Sequence, residues 1–252
     1  MKASLLLDAL DLPTSARVDR RVPKTLLHEH GAPTAADKRQ INEGIEQLVW
    51  VAALKPTTIG VAEYRDKLRE VLEIAVLRLT LRATAKAGRL IELVHRAVPY
   101  PVLLIAQQGS TVGLSAAHKR WSQAEAGKTV LEGDVVTVEW DADQDKQRWP
   151  GFCAALALGQ QPRINLQALN QGWIDTLLAL QAAHVTGAFA VPTNAWQAEH
   201  RREALQESAR LDKEIARLRT TAAKEKQMAR RVDLNLELKR LEAALAAAEA
   251  NL

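Results

Sequence analysis

From Asn194 to Leu252 the chain contains neither glycine nor proline. Alanine, glutamate, lysine, arginine and leucine dominate this stretch, and they are the strongest helix formers. Helix is therefore predicted over its whole length, and the apolar residues add a second condition. Leu211, Ile215, Leu218 and Ala222 follow a four-three spacing that makes one stripe on a helix. Ala229, Val232 and Leu236 stay near that face. A second stripe, from Leu234 through Leu238, Leu241 and Leu245 to Leu252, falls almost opposite the first on a continuous helix. Either the helix breaks near Asp233, or one unbroken helix offers different faces to different partners. Both arrangements leave leucine in water unless another helix covers it, in this chain or in another. Leu211, Ile215, Leu218, Leu238, Leu241 and Leu245 are thus the predicted partner-binding residues. Asn194 is a good N-cap. It marks the boundary between a globular domain over 1–193 and a C-terminal coiled-coil helix, or helical hairpin, over 194–252.

The first part reads as alternating elements. Leu5, Leu6, Ala9 and Leu10 have helical spacing that ends at Pro13, and a basic connector follows with Arg17, Arg20, Arg21 and Lys24. Thr34 with Asp37 three residues on predicts a capped helix reaching Leu48, and Val49 to Leu54 then predicts a strand. Val71 to Leu81 alternates as a strand does, with a bulge expected near Val76–Leu77. A helix is predicted from Thr84 to Val98. It is followed by a fully apolar strand at 102–106, its hairpin partner at 111–117, and further strand over 130–140. Helices are predicted again over 152–158 and 166–185. The expected fold class is α+β: a mixed β-sheet with packed helices, followed by the long C-terminal coiled-coil helix.

Composition excludes several function classes. No run of apolar residues is long enough to span a membrane, and Asp8 and Asp11 interrupt the leucines near the N-terminus. A cytoplasmic protein without a membrane partner is expected. Cys153 is the single cysteine, so no internal disulfide and no thiolate metal cluster can form. It is read as a small buried hydrophobe. The net charge of +4 permits contact with nucleic acid without requiring it.

Catalytic motifs fail on inspection. Asp141, Asp143 and Asp145 alternate as in a calcium loop, but Lys146 and Phe152 stand where glycine and glutamate are needed. Gly127-Lys128-Thr129 copies the end of a phosphate loop, yet Ser122 replaces its first glycine. His28 and His30 lack a third ligand, and a surface loop is the reading adopted. Glu63, Asp66, Glu70 and Glu73 suggest a divergent metal-dependent nuclease, although Glu73-Ile74-Ala75 lacks the expected lysine. No cofactor, no metal and no catalytic residue is predicted. Basic residues carry more weight: Arg78 and Arg82 on one strand face, and Lys119 and Arg120 beside Trp121 on another strand. Cations next to an aromatic ring suit phosphate contact with base stacking, so these five are the predicted nucleic-acid-binding residues. The competing reading is a solvated sheet rim.

Three segments together carry a family resemblance. They are the strand at Leu72-Glu73-Ile74, the junction Val98-Pro99-Tyr100-Pro101-Val102, and Glu225-Lys226-Gln227 followed by Arg231-Val232-Asp233-Leu234-Asn235. The chain resembles the bacterial domain-of-unknown-function family 4391, with Asp233 standing where the family usually has glutamate. What the resemblance implies is context. Such proteins accompany helicases and DNA methyltransferases in restriction-like antiphage loci. The expectation is a non-enzymatic accessory and assembly subunit that binds a partner protein, and DNA through the basic set. The partner would be a second copy or a helicase or methyltransferase, and a divergent nuclease is the alternative. Tyr100, whose flanking prolines force extended backbone, is read as part of a structural junction.

Overall fold

The computed structural model describes residues 2–125, 127–140 and 150–252. The chain forms two compact units, Met1–Leu177 and Leu178–Leu252.

The first unit is built on a six-stranded mixed sheet. Its strands are β1 (Arg17–Arg21), β2 (Ile45–Leu54), β5 (Ile74–Leu81), β6 (Val102–Gln108), β7 (Thr111–Trp121) and β8 (Thr129–Trp140), in that spatial order. β3 (Tyr64–Arg65) and β4 (Glu70–Val71) make a separate small hairpin. Only β5 and β6 run parallel, and the helix α5 (Ala87–Ala97) provides their crossover. The other neighbouring pairs are antiparallel. The irregularity expected at Val76–Leu77 lies there, but its partner strand carries it: the register shifts between Trp50 and Ala52, opposite Leu77 and Val76.

One sheet face is covered by α2 (Lys24–His30), α3 (Ala35–Gly44) and α5. Leu27, Ile41, Leu90 and Val94 pack there against Leu77, Leu79, Val102 and Leu104. The remaining helices of this unit are α1 (Lys2–Ala9), the single turn α4 (Pro56–Ile59), α6 (Pro150–Leu156) and the start of α7 (Leu166–Thr186). Trp173 on α7 is fully buried and donates its indole N–H to the Leu156 carbonyl at 2.9 Å, so α6 and α7 are joined at a fixed point.

Two expectations for this unit change. The helix capped by Thr34 stops at Gly44, not Leu48, because Ile45 and Leu48 belong to β2. A spacing of three places both on one face of a helix, and in β2 the bulge between Ile45 and Gln47 brings both into the same core cluster. The basic connector is not loop either: Arg17–Arg21 is the edge strand β1. The acidic stretch at Asp141, Asp143 and Asp145 lies outside the described residues.

In the second unit, α8 (Ala195–Lys224) and α9 (Met228–Glu249) form a helical hairpin. Asn194 caps α8, accepting the Gln197 N–H at 2.9 Å. The single long coiled-coil helix is corrected: the chain turns at Glu225–Gln227, and Asp233 lies inside α9. Glu225 and Gln227 adopt extended backbone, and the Glu225 carboxylate accepts the Gln227 N–H at 2.8 Å. Neither glycine nor proline marks this turn. It becomes favourable because folding back sets Ile215 and Ala222 of the first stripe against Leu238 of the second.

Candidate functional site

The five predicted basic and aromatic residues do not form one surface. Arg78 pairs in register with Ile105, and Ile105 with Leu114. Arg120 lies six residues further along β7, roughly 20 Å away at about 3.3 Å per residue. Arg82 follows Leu81 at the end of the sheet where Gln108 pairs with Thr111, whereas Trp121 closes β7 at the other end. Arg120 is half-buried and donates to the Trp121 carbonyl at 3.0 Å.

Lys119 is removed from the surface altogether. It is 1% exposed, and its ammonium donates to the carbonyls of His95 and Val98. These lie at the end of α5, so Lys119 closes a helix C-terminus from inside the protein. Burial pushes its pKa down to about 8, with the nearby Arg96 charge adding to the shift. His95 is also buried, and its Nε2 lies 2.9 Å from the Ser115 hydroxyl. Desolvation, followed by the Lys119 charge, lowers the His95 pKa to about 3, so the ring is neutral at ordinary pH. Serine, histidine and lysine together suggest nucleophilic chemistry. Here all three are sealed in the core at 0–1% exposure, so the cluster acts as a clamp between α5 and β7.

The acids proposed for a nuclease are already engaged by cations or by a turn. Glu70 and Glu63 pair with Arg65 at 2.8 and 3.1 Å. Asp66 accepts the N–H groups of Leu68 and Arg69 and the Tyr64 hydroxyl, which shapes the small hairpin's turn. Glu73 is buried and meets Lys55 at 2.9 Å. Among the described residues, no group of three or more histidine, cysteine or acidic side chains could hold a metal ion. His28 and His30 lie in the last turn of α2, so they are not in a loop, and at i and i+2 they diverge. Cys153 is half-buried on α6.

The leucines predicted to meet a partner largely meet each other. Ile215 and Ala222 from α8 cluster with Leu238 from α9, and Leu218, Leu234, Leu241 and Leu245 pack at the margins. Leu211 is also buried. With the seam occupied, a different stripe remains open on α9. Met228, Val232 and Leu236 are 67%, 50% and 55% exposed. At 3.6 residues per turn, Ala243, Ala246, Ala247 and Ala250 continue that face, and all four are exposed. It points away from the seam.

The family described as Domain of unknown function (DUF4391) matches residues 10–245. The chain belongs to that family. No curated protein and no solved structure matches it. The DUF4391 match spans all three segments that carried the resemblance, and it includes both helices of the hairpin nearly to their end. No helix among the described residues is long and apolar enough to cross a membrane.

One feature of this DUF4391 chain escaped sequence reasoning. A cleft of about 380 Å³ opens beside β1 on the face covered by α2 and α5. Trp50, Tyr100, Pro99 and Leu26 wall it, and Arg20 and Arg21 stand at its mouth. Arg20 is the cross-strand partner of Trp50. The Pro-Tyr-Pro junction thus does more than connect α5 to β6, because it presents a half-exposed ring.

Proposed function

We propose that this protein is a non-enzymatic assembly subunit of a bacterial restriction-like antiphage system, and that it pairs with a second copy through the outer face of α9. The observation that carries the reading is the apolar stripe left uncovered after the hairpin has closed its own seam. That stripe is graded by size. Met228, Val232 and Leu236 occupy its first half, and Ala243, Ala246, Ala247 and Ala250 its second. Two copies laid antiparallel about a two-fold axis near Lys239 would set large side chains of each against the alanine surface of the other. An isologous contact requires such self-complementarity. Lys239 sits within the stripe and would face its own copy, with its ammonium reaching outwards to water.

Light scattering on the full chain over a range of concentrations tests this. The expected result is a dimer that becomes a monomer when Val232→Asp and Leu236→Asp are combined, with helicity unchanged because both positions are exposed. Lys239→Leu should tighten the dimer by removing a like-charge encounter. A wild-type chain that stays monomeric at the highest concentration would overturn the pairing. The search would then turn to a different protein, such as a helicase or methyltransferase.

A further inference from the structure

We propose that the cleft beside β1 binds single-stranded nucleic acid, with an unpaired base against Trp50 and Tyr100 and its flanking phosphates on Arg20 and Arg21. This site is independent of the hairpin. It also differs from the basic set predicted from sequence, none of which lines the cleft.

The interior of the cleft is almost wholly apolar. It offers aromatic and aliphatic walls and few hydrogen-bonding groups, so it suits a flat apolar face held by stacking and not by edge recognition. Its volume of about 380 Å³ accommodates one base with its sugar.

The charge outside the cleft decides which kind of ligand brings that base. Arg17, Arg20 and Arg21 are exposed, and none has a carboxylate partner among the described residues. Arg65, Arg69 and Arg89, by contrast, are each held by acids. Lys24 follows directly and donates to the Asn42 carbonyl at 3.0 Å. Burial, then the charges of Arg82 and Arg21, lower its pKa, which places these three cations close together. Asp19 and Glu46 are the acids nearby, and both face solvent. Arg20 shares the cleft face with Trp50, whereas Arg17 and Arg21 pair with Ala52 and Val49 on the other face, so the arginines wrap the sheet edge over roughly 13 Å at the usual strand rise. A small carboxylate or phosphate ligand needs one cation, whereas a row of uncompensated cations suits a polyanion. The polyanion must also present a free base, because a paired base inside a duplex cannot enter a cleft to stack. Arginine on an edge strand also discourages strand addition. That role needs only charge and leaves the adjoining aromatic cleft unexplained.

The test is fluorescence anisotropy with a short labelled oligothymidine and a duplex of equal length, using the full chain at low and at physiological salt. The expected result is tighter binding of the single strand than of the duplex. Arg20→Glu combined with Arg21→Glu, both exposed and so harmless to the fold, should weaken binding at least tenfold at low salt. The slope of log affinity against log salt should flatten by roughly 0.7 for each lost phosphate contact. Tyr100→Leu retains apolar bulk but removes the ring, and it should weaken single-strand binding roughly fivefold or more. No binding at low salt, equal binding of the duplex, or affinity unmoved by these variants would each overturn the proposal.

Discussion

At the residue scale, Lys119 shows how a cation can be mistaken for a surface contact. Its place next to Arg120 and Trp121 on one strand suggested phosphate contact. Instead, its stem passes through the core to two carbonyls at the end of α5. Lys119→Met should leave those carbonyls without a donor and lower stability by about 1–3 kcal/mol, measured by urea denaturation, while single-strand binding stays unchanged. His95 makes a pH prediction. Its folded pKa of about 3 lies below the ordinary 6.5, so the unfolded chain binds the extra proton between those values. Stability should therefore be fully present above about pH 6.5 and fall as the pH drops towards 3. Replacing His95 with glutamine should reduce that slope by up to about 1.4 kcal/mol per pH unit, read from urea midpoints at pH 7, 5.5 and 4.5. Asp37 acts in a lower window. Bidentate contact from Arg89, aided by the Thr34 hydroxyl, holds its carboxyl near 2, so this contribution is lost only as the pH falls below the ordinary 3.8.

At the element scale, close helix packing depends on small residues. A Cβ on Gly31 would lie 2.7 Å from both the Ala97 Cβ and the Leu93 carbonyl oxygen, because the end of α2 rests on α5. Gly31→Ala should cost about 1–3 kcal/mol by forcing these helices apart, seen as a lowered melting temperature. It should also disturb the cleft, since α2 forms one of its walls. The hairpin invites a contrasting pair of substitutions. Leu238→Asp places a charge in the buried seam and should reduce helical content, measured by circular dichroism, whereas Leu236→Asp on the outer stripe should not. The stripes themselves were legible in sequence, as were the N-caps at Thr34 and Asn194. The turn at Glu225–Gln227 was not. Lys224, Glu225 and Lys226 are good helix formers, and only burial of two stripes against each other makes the break worthwhile.

At the scale of the whole molecule, the question is whether any chemistry is performed. The acids over 63–73 are tied to cations and to the turn of the small hairpin. Full-length protein with magnesium or manganese should therefore leave plasmid DNA uncut. Nicking that disappears in Glu73→Ala would replace the assembly reading with a divergent nuclease. The two proposed surfaces belong to different units, the cleft to Met1–Leu177 and the outer stripe to Leu178–Leu252. Variants in one should leave the other's measurement unchanged.

The sequence by itself determined the α+β class, the family, most helices and central strands, and the two apolar stripes. Each follows from periodicity, capping or turn chemistry within a short window. Tertiary structure decided that the stripes close on each other, that Lys119 and His95 lie inside, and that Arg78 and Trp121 belong to distant parts of the sheet. It also brought Arg20, Trp50 and Tyr100 together across three separate segments. The physical reason is common to all of these. Burial and convergence depend on strand order and helix docking, which join residues far apart in sequence, whereas local propensity acts only between neighbours.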